Sequence, residues 1–327
     1  MSETYPGFVY GDLRIPCHVY QSGVFRLEDV LCKYDSAELI LPEDIAAFKD
    51  ELIKKKKIEA EKRGAPFYDD PMVRLRDYGV KIEDPRTEKL NLILTFQPSS
   101  WFTYVSTNMS LDEKILRDEC GRKVSIREKY IKYPLDLNDV LANPTGVSAT
   151  IISEPDHRIL IAERSMKLAQ YPGLYGDAAA GFMKDTDVID GTPNPFKTIQ
   201  RESGEELGLK PSINDFKLLG VGRAMDDLHG EIWGELRTPL TIQEIYSTPK
   251  KDKYEHLRLF DVPFEPKEVL KYVSRTIEQI PPGVSAVWNV WKIDRTPKWV
   301  PGHTINTIQS LEREYGYERV MRELKNL

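Results

Sequence analysis

Residues 201–209, which read RESGEELGL, decide both the fold and the chemistry. On an α-helix, positions i, i+3 and i+4 share one face, so Glu202, Glu205 and Glu206 lie together. Three like charges on one face repel each other and lower the stability of the helix. A hard divalent cation, Mg²⁺ or Mn²⁺, neutralises such a cluster because it takes oxygen ligands and bridges substrate phosphates. The pattern predicts a metal site, with Arg201 as an internal ion-pair partner that orients one carboxylate.

Regular elements are predicted on both sides of this stretch. A helix is expected over Pro195–Leu207, where Gly208 ends it and Gly204 costs about 1 kcal/mol relative to alanine. Upstream, two apolar β-branched runs flank the polar turn EPDH, which is typical of a hairpin at 147–164. Downstream, we expect strands at 216–224 and 230–240, helices at 240–249, 264–280 and from about Ile305 onward, and a strand or helix at 285–293.

The stretch resembles the second half of the Nudix box. That pattern runs Gly, five residues, Glu, seven residues, then Arg-Glu-aliphatic-x-Glu-Glu-x-Gly-aliphatic. The matching residues are Arg201, Glu202, Glu205, Glu206, Gly208 and Leu209. Two upstream segments, YPGLY at 171–175 and AAGF at 179–182, are similar to the entry of many Nudix proteins. The resemblance covers roughly residues 145–300.

The first half of the box departs from the family pattern. Counting back from Arg201 gives Asp187 in place of the first glycine and Pro193 in place of the glutamate. An insertion in the loop, DTDVIDGTPNP at 185–195, accounts for this difference if Gly181 serves as the first glycine. The upstream glutamate is then missing, or it is replaced by Asp185, Asp187 or Asp190.

The resemblance implies a Nudix-like α/β/α sandwich around a mixed sheet and a hydrolase that acts on a phosphoric anhydride. It implies that Glu202, Glu205 and Glu206 hold Mg²⁺ or Mn²⁺, and that Glu205 and Arg201 are catalytic. Water then attacks one phosphorus of a P–O–P bridge, while the metal offsets developing charge and lowers the pKa of that water. A remaining carboxylate acts as the base.

Further site residues come from the segments around the box. Nudix enzymes often draw another carboxylate from a later strand or loop, and Glu231 and Glu235 are the candidates, with Glu231 taken as catalytic. Asp226 and Asp227 fit this role less well. Arg164 ends the hairpin strand, where the family often has an arginine that faces substrate phosphate. Substrate binding is assigned to this arginine and to Gly181.

An N-terminal β-rich α+β module is predicted ahead of the Nudix-like region. We expect a helix at 39–64, followed by strands between 72 and 108. Asn143-Pro144 and the glycine after it are typical of a boundary. The predicted domains are therefore 1–142 and 143–327, the second ending in the C-terminal helix.

Aromatic residues cluster in the segment FQPSSWFTYVSTN, which is similar to the N-terminal module of eukaryotic Nudix proteins that cleave UDP-sugars. Trp101, Phe102 and Tyr104 either stack on a base or pack in the core, and core packing is favoured. A nucleotide sugar is therefore included among the expected substrates.

Composition excludes several classes of protein. The chain has 327 residues, 40% of them hydrophobic and 30% charged, with a net charge of −6, so it can bury a core and lacks the basic field of duplex-binding proteins. Three scattered cysteines and the absence of a CxxC favour a reducing, cytoplasmic location. No apolar run approaches the length of a membrane span. We expect a small-molecule partner, no duplex nucleic acid and no membrane.

Two functions compete on the sequence. The leading hypothesis is a Mg²⁺-dependent pyrophosphohydrolase that cleaves a nucleoside diphosphate linked to another moiety. The alternative is a catalytically weak or inactive Nudix-fold sensor that binds a nucleotide, which the altered loop favours and the complete glutamate triad disfavours. The amphipathic C-terminal helix is typical of core or dimer contact, which leaves a homodimer open.

Overall fold

The computed structural model describes residues 7–63, 67–84, 86, 89–137, 140–168, 170–250, 255–276 and 296–327. Its strands are β1 (Phe8–Tyr10), β2 (Leu13–Ile15), β3 (Cys17–Phe25), β4 (Val30–Tyr34), β5 (Pro71–Asp84), β6 (Lys89–Ser100), β7 (Leu116–Arg117), β8 (Lys123–Val124), β9 (Thr145–Ser153), β10 (Arg158–Arg164), β11 (Tyr175–Asp177), β12 (Ala179–Phe182), β13 (Val188–Ile189), β14 (Thr192–Pro193), β15 (Phe216–Ala224), β16 (Gly230–Thr238) and β17 (His256–Pro263). Its helices are α1 (Glu43–Arg63), α2 (Trp101–Ser106), α3 (Ile126–Tyr130), α4 (Pro195–Leu207), α5 (Ile242–Ser247), α6 (Pro266–Val273), α7 (Pro301–Tyr315) and α8 (Tyr317–Lys325). The element expected at 285–293 lies outside these residues.

A mixed sheet forms the centre of the molecule. Its strand order is β11-β10-β9-β16-β15-β3, with β12 paired to β9 and β17 paired to β10. β16 runs parallel to β9, whereas β10 and β12 run antiparallel to it. The amino ends of β9 and β16 therefore meet the carboxyl ends of β10 and β12 at one edge of the sheet.

Helices cover both faces of this sheet. In β9, Val147 and Ala149 pack into a core that includes Phe196 of α4. Ile152, on the opposite face, packs into a second core that includes Ile305 of α7. Successive side chains of a strand point to opposite faces, so one strand supplies both cores. The expected α/β/α sandwich around a mixed sheet is confirmed.

The N-terminal residues build a second, smaller sheet. β6 lies between β4 and β5, parallel to the first and antiparallel to the second. β3 is the exception, because it pairs with β15 at the edge of the central sheet. Backbone hydrogen bonds from Val73 to Met183 and from Leu75 to Asn143 join the two parts. The domain boundary at residue 142 stays a prediction.

Local expectations are confirmed at several elements. α1 is the helix expected at 39–64, and β9 and β10 form the expected hairpin. α4 has the predicted bounds, and its C-cap Gly208 adopts the left-handed region at φ 73°. Residues 266–273 form α6, which ends before the helix expected at 264–280 does.

Two sequence expectations are wrong in detail. Residues 101–106 are helical rather than extended, because the Ser100 side chain accepts a hydrogen bond from the Thr103 N–H and caps a helix there. The single C-terminal helix is in fact two helices, which begin earlier than expected and are separated by Gly316 at φ 80°. Among the described residues, no helix has the length and apolar character needed to cross a membrane.

Candidate active site

A cavity of about 400 Å³ opens at the edge of the central sheet where β9 and β16 begin. This volume lies within the range of about 300–1,000 Å³ that is usual for small-molecule sites. Residues from both predicted domains line it, including Met72, Trp101, Arg164, Gly181, Phe182, Arg201, Glu202, Glu205, Glu231, Glu255 and His303. The cavity therefore brings together Arg164, Gly181, Arg201, Glu202, Glu205 and Glu231, and Glu206 lies beside it, bonded to the lining residue Ala180.

Helix α4, which carries the glutamates, is capped at both ends. Asn194 accepts a hydrogen bond from the Phe196 N–H at 3.0 Å, and Pro195 occupies the first turn, where a missing N–H costs nothing. The apolar side of α4 packs on the sheet. The glutamate face consequently lies against β12, where Glu202 and Glu206 are buried and the Glu205 side chain is 38% exposed.

Arg201 is surrounded by acceptors. Its Nε and Nη2 donate to the two carboxylate oxygens of Asp187 at 2.8 and 2.9 Å. Its Nη1 donates to Glu202 at 2.6 Å and to Glu205 at 3.1 Å. Asp187 is buried, whereas Asp185 is exposed. Of the three aspartates that could replace the upstream glutamate, Asp187 is thus the one bound to Arg201.

Glu202, Glu206 and Glu255 form a second group of carboxylates, with less positive charge around them than negative charge within the group. Glu206 accepts a hydrogen bond from the Ala180 N–H at 2.9 Å and shares a hydrogen bond with Glu255. Burial, together with that bond and the charge of Glu202, raises the pKa of Glu206 well above its ordinary value. Burial and the charge of Glu255 likewise raise the pKa of Glu202 to about 8, although Arg201 opposes the shift. His256 lies 3.5 Å from Glu206.

These oxygens have the chemistry of a site for a hard divalent cation. Burial and mutual repulsion therefore favour the protonated forms of Glu202 and Glu206 in the absence of a cation. A divalent ion would replace these protons, because carboxylate oxygens are the ligands it prefers. In the described ranges, however, no three acidic, histidine or cysteine side chains already converge on one centre, since Glu205 is turned towards Arg201.

The absence of a side chain at Gly181 leaves space for the Glu202 carboxylate. A Cβ built on Gly181 would overlap the Oε1 and Cδ atoms of Glu202. Any side chain at this position would therefore displace the Glu202 carboxylate. Gly181 thus contacts a carboxylate of the cluster, and its assignment to substrate binding stays a prediction.

Glu231 is held by a chain of hydrogen bonds. Its Oε1 lies 3.0 Å from His229 Nε2, and His229 Nδ1 lies 2.5 Å from Asp227. Burial disfavours charge on the imidazole, but Asp227 and Glu231 outweigh it and raise the pKa of His229 well above its ordinary value. Asp227 also accepts hydrogen bonds from Tyr104 at 2.6 Å and Gln170 at 3.0 Å. Glu231 thus faces the cavity from a fixed position.

Glu235, the other candidate on β16, lies elsewhere. It is buried against α7, where Arg313 binds it at 2.8 Å and Arg237 at 3.4 Å. Of the two glutamates on β16 that the sequence predicts as candidates, Glu231 lines the cavity and Glu235 does not.

The N-terminal residues provide an apolar part of the cavity wall. Trp101 and Met72 line the cavity beside Phe182 of β12. Tyr104 is fully buried and bonds Asp227, and Phe102 stacks on Phe67 at 4.7 Å between ring centroids. Core packing is thus correct for Tyr104, whereas Phe102 is half-buried, and Trp101 packs beside Tyr104 and also lines the cavity.

Two contributors were not found from the sequence. Glu255 precedes β17 and has no motif around it, and His229 has no second histidine at ligand spacing. The only local signal was the density of acidic residues at 226–231. Both side chains reach the site through pairing of distant strands.

No protein-family model matches the chain, and no curated protein sequence matches it. Solved structures do match. The NUDIX domain of Shewanella oneidensis NrtR, complexed with ADP ribose, is 13% identical, with 53% of this chain and 89% of that chain covered and a TM-score of 0.34. One of the matching structures is thus a NUDIX domain, the family that residues 201–209 resemble. The MutT protein from Methanosarcina mazei Go1 is 16% identical, with 52% and 94% covered and a TM-score of 0.29.

A third match has a ligand and a metal. It is a bifunctional NMN adenylyltransferase/ADP ribose pyrophosphatase from Francisella tularensis, complexed with AMP and a Mn ion. It is 16% identical, with 53% of this chain and 41% of that chain covered and a TM-score of 0.29.

Proposed function

We propose that this protein is a Nudix-type hydrolase that uses Mg²⁺ or Mn²⁺ to cleave a nucleoside diphosphate linked to another moiety. One observation carries the proposal: buried carboxylates at Glu202 and Glu206, joined by Glu255, exceed the positive charge beside them at the wall of a ligand-sized cavity. Burying such charges without a counter-ion is costly. A divalent cation removes that cost and brings substrate phosphates to the same place.

Each residue has a distinct role in this proposal. Glu202, Glu206 and Glu205 would hold the cation. Glu205 would have to exchange its hydrogen bond to Arg201 for the cation. The bound cation would supply charge neutralisation of the phosphoryl oxygens and a more acidic water. Arg201 fixes the Glu202 carboxylate, and Asp187 in turn fixes Arg201. Glu231, which His229 holds at the cavity, is placed to accept the proton of the attacking water.

The cavity wall supports a nucleotide as the substrate. Trp101, Met72 and Phe182 offer an apolar surface suited to a planar base, and Arg164 offers a positive charge suited to a phosphate. A nucleotide sugar is one compound of this class. Because Trp101 comes from the N-terminal residues, we propose that region 1–142 contributes to substrate selection.

A panel of nucleoside diphosphate derivatives tests the proposal. Turnover is measured as phosphate released after a coupled phosphatase, with Mg²⁺, with Mn²⁺ and with chelator. We expect metal-dependent release from at least one compound, at a rate that Glu205→Gln lowers and Glu61→Gln, on an exposed part of α1, leaves unchanged. Tight nucleotide binding without turnover in either metal would instead favour the sensor function.

A further inference from the structure

The turn between β15 and β16 is packed into the N-terminal part of the chain. It spans residues 225–229, and its Met225 and Leu228 side chains are buried. Both belong to a core cluster whose other buried members come from region 1–142, namely Ile45, Leu111, Leu116, Ile126 and Leu141. The turn therefore completes a core of the N-terminal region, although the two strands that it joins belong to the central sheet.

Hydrogen bonds from the N-terminal region fix the backbone of the β15–β16 turn. Asn108 Nδ2 donates to the Asp227 carbonyl at 2.8 Å, and Arg127 Nη2 donates to the Asp226 carbonyl at 2.6 Å. Leu228 has φ at 62°, in the left-handed region that a leucine rarely adopts. Backbone strain of this kind persists where the surrounding structure over-determines it, and it is concentrated at functional sites. Region 1–142 thus holds the turn in one conformation.

A hydrogen-bond chain runs from the N-terminal region through this turn to Glu231. Tyr104, which is fully buried in α2, donates from its hydroxyl to Asp227 Oδ2 at 2.6 Å. His229 Nδ1 lies 2.5 Å from Asp227 Oδ1, and His229 Nε2 lies 3.0 Å from Glu231 Oε1. His229 and Glu231 line the cavity. Tyr104 and Asp227 are not among the described lining residues, so they act on a substrate only through the other two.

His229 donates a hydrogen bond from each ring nitrogen. Both nitrogens face carboxylate oxygens, which only accept when they are ionised, whereas neutral imidazole has a single N–H. Burial opposes a charge on the ring, but Asp227 and Glu231 outweigh it and raise the pKa of His229 well above its ordinary value. Two further buried groups interact with this ring: burial raises the pKa of Asp226 to about 7 and lowers the pKa of His303 well below its ordinary value. The bond from His229 to Glu231 is therefore charge-assisted.

The other oxygen of Glu231 is confined by the amino end of α7. A Cβ built on Gly302 would overlap Glu231 Oε2, so this oxygen lies directly against the helix backbone. With Oε1 bonded to His229, the carboxylate follows a shift of the β15–β16 turn. A misplacement of about 1 Å at a reacting centre can cost about a hundredfold in rate.

We propose that Tyr104 and Asp227 are positioning residues for the reaction, and that the N-terminal region acts on the chemical step by holding the β15–β16 turn in place. The inference rests on the proposed function, in which Glu231 accepts the proton of the attacking water. It gives region 1–142 a role in the rate of reaction, which is separate from the contribution of Trp101 to substrate selection. Loss of the Tyr104 hydroxyl should therefore lower kcat more than it raises KM.

The protonation state of His229 tests the hydrogen-bond chain without any turnover. Protein labelled with ¹⁵N-histidine is kept in chelator, and the His229 ring resonances are assigned by their loss in His229→Gln. We expect a doubly protonated ring at pH 8 in wild type, where an unperturbed imidazole with a pKa of about 6.5 is neutral. Asp227→Asn removes a negative charge that raises the pKa of His229, so its ring should be neutral at the same pH. A wild-type ring that is neutral at pH 8 overturns the inference.

Kinetics of a turned-over substrate test the effect of Tyr104 on the chemical step. Tyr104→Phe removes only the hydroxyl, and we expect kcat to fall about tenfold while KM changes less than about threefold. Tyr10→Phe is the matched control, because Tyr10 is another buried tyrosine and its hydroxyl donates to Glu312 at 2.8 Å. Its kcat should equal that of wild type.

A double-mutant cycle separates positioning from a general effect on the fold. Glu231→Gln removes the base and should lower kcat about a hundredfold or more. In that background Tyr104→Phe should lower kcat by less than about a further twofold, because the group that it positions is gone. An unchanged kcat in Tyr104→Phe, or the same loss in both backgrounds, overturns the inference even if hydrolysis is confirmed.

Two further observations complete the test. A wild type that hydrolyses no phosphoric anhydride, but has the charged His229 ring, would overturn the proposed function while supporting the orientation of Glu231 by the turn. Urea unfolding shows whether Tyr104→Phe is folded under the assay conditions. If it is not, Asp227→Asn enters the same cycle with the same expected coupling to Glu231.

Discussion

Gly181→Ala is the substitution that most directly tests the carboxylate cluster. The new Cβ would overlap Glu202 Oε1, and this oxygen must move by more than about 1 Å to reach 3.0 Å, the shortest separation that such atoms adopt. A misplacement of about 1 Å at a reacting centre can cost about a hundredfold in rate. We therefore expect turnover to fall by about that factor.

Stability should respond much less to this change. Gly181 lies in extended β12, so alanine suits its backbone, and the atom that must move is the end of a flexible side chain. The displaced carboxylate weakens its 2.6 Å bond to Arg201. We expect the free energy of unfolding to fall by only about 1–2 kcal/mol.

Turnover in Mn²⁺ and urea unfolding in chelator measure the two effects. Gly204→Ala, on α4 itself, is the matched control, because its Cβ would meet nothing closer than the Leu209 carbonyl at 3.5 Å. It should stabilise the helix by about 1 kcal/mol and leave turnover unchanged. Wild-type turnover in Gly181→Ala would refute the placement of Glu202 in the metal site.

Three further substitutions address charge. Glu205→Gln should cut turnover at least tenfold but change the free energy of unfolding by less than about 0.5 kcal/mol, since its side chain is 38% exposed; a variant with full activity would show that this glutamate is structural. Asp187→Asn should lower the free energy of unfolding by about 3 kcal/mol, measured in urea, because it leaves Arg201 with one buried partner fewer; an unchanged urea midpoint would contradict this. Burial raises the pKa of Asp177 from 3.8 to about 7, so the folded state keeps a proton that the unfolded state releases near pH 4. The free energy of unfolding therefore falls by up to about 4 kcal/mol as the pH rises from 4 to 7, because ionised Asp177 is disfavoured in the folded state. Asp177→Asn should make this pH dependence flatter. Urea unfolding that gives the variant and wild type the same pH profile would contradict the prediction.

The bounds of α4 were predictable because every signal for them is local. Pro195 and Gly208 act on the backbone within a turn of where they stand, and the spacing of Glu202, Glu205 and Glu206 places them on one helix face in any fold. The hairpin of β9 and β10 was predictable for the same reason, since its two runs are adjacent in the chain.

Long-range pairing decided which side chains meet at the site. Glu255 reaches Glu206 only because β17 pairs with β10, and His303 reaches the cavity only because α7 packs against β11. The sequence left three aspartates as possible replacements for the upstream glutamate, and the path of the loop brings Asp187 to Arg201. Side-chain periodicity reports which face of an element is buried, but it carries no information about which distant element covers that face. The sequence by itself therefore determined the acidic helix face, and only the tertiary structure decided its partners.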